Sequence, residues 1–110
     1  MELKRVVVTG IGAITPIGNT VEEYWNALID GRSGAAPITQ FDASLFKTKF
    51  ACEVKNYNPN DFFDRKEARK LDLFAQYAMV ATDEAIADSG LDMGAIDKDR
   101  FGVIWGAGIG

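Results

Sequence analysis

Few residues in this 110-residue chain could do chemistry, and the first constraint is one that is missing. There is no histidine. That removes the usual near-neutral proton carrier, the commonest zinc ligand and every Ser–His or Cys–His nucleophile pair. Cys52 is the only cysteine. It cannot form an intrachain disulfide, and a lone thiol fits a reducing compartment. Phe50 and Val54 flank it with the period of a strand, so it reads as a buried structural thiol with no neighbouring base to activate it. Gly10-Ile11-Gly12 follows an apolar run, as the opening of a dinucleotide-binding turn does. The third glycine of that pattern is replaced by Thr15, and Pro16 follows. No acid is placed to hold ribose hydroxyls, so a tight turn between strand and loop is the better account.

The basic residues carry more content. Arg65, Lys66, Arg69 and Lys70 are four of the 12 bases, with only Glu67 acidic among them. The net charge is −4, so this short run is positive in a chain that is otherwise acidic. On a helix, Lys66, Arg69 and Lys70 share one face, at i, i+3 and i+4. The ordinary account is a solvated helix whose charges pair with Asp64, Glu67 and Asp72. The concentration of positive charge favours instead a docking site for an anionic partner. Nucleic acid is a poor candidate for that partner, because a general nucleic-acid binder is usually basic overall.

The elements that must position these residues follow from pattern. Arg5 to Thr9 reads as a buried strand, since Val6, Val7 and Val8 are β-branched with no polar alternation. Thr20-Val21-Glu22-Glu23 is a capping box. The helix it starts places Val21, Tyr24, Trp25 and Leu28 on one apolar face and ends at Gly31. Residues 32–48 look irregular, and residues 50–55 alternate like a short strand or extended segment. Asn58-Pro59-Asn60-Asp61 is a turn and helix start, leading into a short helix with Phe62, Phe63 and the basic run. The longest helix is expected from Leu71 to Ser89, with Gly90 as its C′ residue. Its seam is mostly alanine, which lets a neighbour approach closely. A polar connection leads to a second buried strand, Phe101 to Trp105.

Composition fits one ordinary domain and excludes several classes. At 47% hydrophobic and 25% charged, the chain has the apolar content that disordered proteins lack. No apolar stretch reaches membrane-spanning length, and the N-terminus is charged too early for a signal peptide. Buried strands alternating with helices imply an α/β protein. Two strands do not make a stable sheet covered on both faces, so the expectation is a portion of a larger fold.

Several stretches in order resemble the β-ketoacyl-[acyl-carrier-protein] synthases, specifically the type II elongating enzymes. They are Lys4-Arg5-Val6-Val7-Val8-Thr9-Gly10, Thr15-Pro16-Ile17-Gly18-Asn19-Thr20, Phe41-Asp42-Ala43-Ser44, Glu53-Val54-Lys55, Asp64 through Asp72, and Gly106-x-Gly108-Ile109-Gly110. The resemblance implies the front portion of a thiolase-like αβαβα layered fold, with residues 1–110 belonging to its first half. It implies a cytoplasmic homodimeric parent that condenses an acyl thioester with malonyl-carrier protein, without cofactor or metal. It implies that Lys66, Arg69 and Lys70 contact acidic acyl carrier protein. It also implies that Gly108 and Ile109 border the acyl pocket. The family's catalytic Cys and His residues have no counterparts here, Cys52 is not the nucleophile, and the segment alone should be inactive. The alternative is a non-catalytic module that holds an acidic partner through residues 65–70.

Overall fold

The computed structural model describes residues 1–110. Its first helix, α1 (Val21–Ile29), begins where the capping box places it: Thr20 Oγ1 accepts from the Glu23 N–H at 3.2 Å. The Glu23 carboxylate reaches back one residue further than the motif requires and accepts from the Asn19 N–H at 2.8 Å. After the C-cap Asp30, Gly31 takes a left-handed conformation, φ +67°, which a residue with a Cβ adopts only under strain. The helix is not deeply packed. Ala27 is its one buried residue, while Trp25 is 60% exposed and Leu28 is also exposed.

A two-residue antiparallel pairing follows, β1 (Ala36–Pro37) with β2 (Phe50–Ala51), Ala36 opposite Ala51. The Ile38 N–H to Lys49 C=O bond extends it by one step. A 3₁₀ turn, Pro59–Asp61, capped by Asn58, leads to the short helix α2 (Arg65–Ala68). The spine of the molecule is α3 (Leu73–Ser89), with Asp72 at its N-cap position making no side-chain capping bond and left-handed Gly90 closing its end.

The alanine seam of α3 does what its composition predicts. Residues 9–14 cross it at contact distance: a Cβ built at Gly12 would overlap the Ala81 carbonyl, and one at Gly10 would overlap that of Ala85. Gly10 and Gly12 therefore do not form the tight turn expected of them; they allow backbone to lie on backbone. The turn comes later, at Thr15–Gly18, closed by the Thr15 N–H to Gly18 C=O bond at 2.8 Å. Long-range polar contacts fix this crossing. The Glu84 carboxylate on α3 accepts from the Ala13 N–H at 2.8 Å and from Val21, the first N–H of α1, at 3.1 Å. Lys55 Nζ donates to the carbonyls of Pro16, Gly34 and Glu53.

Other expectations are corrected. Cys52 is exposed rather than buried, because a two-residue ribbon has no second layer to cover it. Neither expected buried strand is present: residues 5–9 and 101–105 have no ladder partner, and Val6 and Ile104 are 89% and 98% exposed. The β-branched pattern is there, but a strand needs a neighbour to hydrogen-bond with. The end of the first segment and the start of the second reach α3 instead. Thr9, Phe101 and Val103 line one shallow cleft with Ala85 and Ile86. Only six residues are buried in all. The radius of gyration is 17.3 Å, against about 13 Å for a compact domain of this length. No helix is long and apolar enough to cross a membrane.

Candidate functional site

The basic run is built by one side chain and one turn. Asp64 caps α2, its Oδ1 accepting from the N–H groups of Lys66 at 2.7 Å and Glu67 at 3.0 Å. That starts a four-residue helix directly after Phe62 and Phe63, as a strong N-cap can. Arg65 and Lys66 lie within α2. Arg69 is its C-cap and keeps helical dihedrals, while Lys70 lies in the following turn, its N–H on the Glu67 carbonyl at 3.0 Å. The one-face helical pattern thus holds for Lys66 and Arg69, and the turn sets the place of Lys70.

All four cations are exposed. None lies within ion-pair distance of a carboxylate; the single salt bridge of the molecule joins Arg32 to Asp30 at 3.0 Å. The pairing with Asp64, Glu67 and Asp72 that a merely solvated helix would use is not made. Asp64 is occupied instead in capping the backbone. The result is an uncompensated positive patch on a chain of net negative charge, which focuses potential outward.

Gly108 and Ile109 lie in the C-terminal segment, with Ile109 95% exposed. The segment folds back over the start of α3, so that a Cβ built at Gly110 would come within 2.8 Å of the Phe74 ring and 3.3 Å of Asp72 Oδ2. Asp72 is two residues from Lys70. The structure thus brings the two predicted patches to the same end of α3, although they are far apart in sequence. Beside them, Val103 and Trp105 face Phe74, Ala78 and Met79 across an open apolar cleft of about 370 Å³. Cys52 is remote from this end in sequence and has no charged partner among the hydrogen bonds or ion pairs.

Two residues at this end carry no signal of their role in the sequence. Gln76 and Tyr57 support the basic turn from inside, with the Tyr57 hydroxyl donating to Gln76 Oε1 at 2.7 Å. Burial pushes the Tyr57 and Tyr77 phenols above their ordinary pKa, so both stay protonated. A glutamine outside the alanine seam looks like a surface residue, and no local signal distinguishes it. Further away, the Thr39 hydroxyl and the Thr39 and Gln40 amides hold the Glu53 carboxyl below the usual range.

Comparison with known proteins fits this arrangement into a family. Residues 3–110 match the family model for the β-ketoacyl synthase N-terminal domain. The chain is 50% identical, over all 110 residues, to a 3-oxoacyl-[acyl-carrier-protein] synthase 2 of Synechocystis sp., and covers 26% of that protein. It is 47% identical over its whole length to the protein of the same name from Coxiella burnetii, covering 27% of it. Among solved structures, the ishigamide ketosynthase/chain length factor superposes with a TM-score of 0.71 at 42% identity, over 78% of this chain and 21% of that one. The chain spans about a quarter of the length of the curated relatives it matches. These relatives are synthases, which leaves the non-catalytic binding module without support. The α/β architecture is therefore the N-terminal part of the thiolase-like layered fold, and the chain belongs to the β-ketoacyl synthase family.

Proposed function

We propose that these residues serve as the N-terminal domain of an acyl-chain-elongating condensing enzyme, and that the turn carrying Lys66, Arg69 and Lys70 docks its acidic acyl carrier protein. The parent acts as a cytoplasmic homodimer without cofactor. In its reaction an acyl group passes from the carrier thiol to a cysteine thiol of the enzyme. Malonyl-carrier protein then loses carbon dioxide, and the resulting carbanion attacks the acyl carbonyl carbon and expels the cysteine thiolate. The groups that perform those steps are not among these 110 residues. What this chain contributes is recognition. Gly108 and Ile109 border the acyl pocket, the glycine letting backbone approach the chain and the branched side chain limiting its length.

The observation that carries the proposal is the set of four exposed cations within six positions, none of them in an ion pair. Cations already paired would have to exchange one carboxylate for another; unpaired ones are free to take a carrier's acidic helix. Complementary charge of this kind speeds encounter and fixes orientation more than it adds affinity.

The test is charge reversal. In the full-length synthase, Lys66→Glu combined with Arg69→Glu raises KM for carrier-linked acyl substrate about tenfold or more at low salt, with kcat within about twofold. Added salt narrows the gap by screening exposed charges. An unchanged KM at low salt would remove the docking role.

A further inference from the structure

We infer that Gln76 is a positioning residue for the basic turn: its buried carboxamide clamps the backbone on both sides of Arg69 and Lys70 and so fixes where these two cations stand. The inference rests on the docking role proposed above and names the internal support of that site.

Gln76 is 5% exposed and is the one buried polar residue of the molecule. It sits in the first turn of α3, beneath the α2–α3 connection. Its Nε2 donates to the Ala68 carbonyl at 3.0 Å and to the Leu71 carbonyl at 3.1 Å. Only Arg69 and Lys70 lie between those two residues. Ala68 is the last residue of α2, and its carbonyl otherwise accepts only a long bond from the Leu71 N–H at 3.4 Å, in place of the regular helical partner. Both carboxamide hydrogens are thus used on the two carbonyls that bracket the cations.

The remaining atom is fixed from the other side. Gln76 Oε1 accepts from the Tyr57 hydroxyl at 2.7 Å. Tyr57 is held by the Phe62 ring, stacked at 5.8 Å between centroids, and by the Tyr77 ring, edge-on at 5.0 Å. Every buried side-chain polar atom has a partner. A buried carboxamide is costly unless fully bonded, and a fully satisfied one makes a rigid joint. Lysine and arginine side chains lose much rotamer freedom on docking. A fixed backbone beneath them reduces what remains to be ordered, which is preorganisation of a recognition surface.

The test uses the full-length synthase and two substrates. Gln76→Leu keeps the buried volume and removes all three hydrogen bonds. It raises KM for carrier-linked acyl substrate about fivefold, the equivalent of about 1 kcal/mol. Neither kcat nor KM for a carrier-free acyl-pantetheine thioester moves by more than about twofold, since chemistry is untouched. Tyr57→Phe removes one bond only and gives about a twofold rise in the same KM, and it keeps the test open should the leucine variant fail to fold. Equal changes with both substrates would show a merely structural role and overturn the inference. If the Lys66/Arg69 reversal raises KM and neither Gln76→Leu nor Tyr57→Phe does, positioning is refuted while docking stands. If the reversal itself has no effect, docking fails and the inference fails with it.

Discussion

Between Ala13 and Gly90, polar side chains tie several loops to a helix or to another loop. In residues 1–9 and 101–110 no backbone hydrogen bond is made at all. The first region holds Glu84, Lys55, Gln76 and Glu53, each bonded to two or more backbone or side-chain groups. The second region holds the chain's most β-prone sequence, Val6-Val7-Val8 and Val103-Ile104-Trp105, and leaves it exposed. The difference shows two ways to satisfy backbone. A long polar side chain can do so from within one small segment. A strand of a buried sheet depends on neighbours on both edges and layers on both faces. The proposed docking turn belongs to the first kind, and the two segments expected to be strands, with Gly108 and Ile109 beside the second, to the other.

The crossing of residues 9–14 over α3 is where the regions meet, and it gives the largest expected effect. Gly12→Ala would force a methyl into the Ala81 carbonyl. Backbone cannot swing aside as a side chain does, and the cost is about 3 kcal/mol, the upper range for overpacking. Gly102→Ala, in the exposed C-terminal segment, meets nothing within 4 Å. It should be neutral or stabilise by about 0.5 kcal/mol through the unfolded chain. Urea titration followed by far-ultraviolet circular dichroism compares the two. Equal behaviour of both variants would mean that the N-terminal segment does not press on α3.

The elements of the first region were legible because their signals are local. Thr20 and Glu23 mark the start of α1, Gly31 and Gly90 mark helix ends, and the alanines of α3 announce a close neighbour. The density of charge from Arg65 to Lys70 was also plain, and so was the family resemblance. What could not be read are the ties that join distant positions. Glu84 and Val21 are 63 residues apart, and Lys55 and Pro16 are 39 apart. A lone Glu, Lys or Gln looks like solvated surface until the fold shows which carbonyl or N–H it meets. The strands failed for the opposite reason. Their composition was right, but propensity does not supply a partner.

Glu84 gives the next effect in size. Its carboxylate serves the Ala13 N–H and the first N–H of α1, so it joins the loop, α1 and α3 in one contact. Glu84→Ala costs about 2 kcal/mol, the range for hydrogen bonds to a charged group. Amide exchange should localise the loss: protection falls at Ala13 and Val21 first and stays near its wild-type value within the centre of α3. A uniform loss along α3 would show that the carboxylate supports the helix as a whole rather than this junction.

The smallest effect is expected at the most exposed apolar position, and it measures what the layered fold adds. Ile104 is 98% exposed, so Ile104→Ala in the 110-residue chain changes stability by less than about 0.5 kcal/mol, as surface substitutions do. Were residues 101–105 to pair into a covered sheet of the full-length protein, losing three carbons at Ile104 would there cost about 3 kcal/mol. The ratio of the two values is the quantity of interest. A large cost in the short chain would mean that its C-terminal segment is already packed, and that the contrast between the stitched middle and the bare ends is false. A negligible cost in both would leave Ile104 uncovered even in the complete enzyme. The first outcome would count against the exposed arrangement described for residues 101–110, and the second against placing that strand inside the layers.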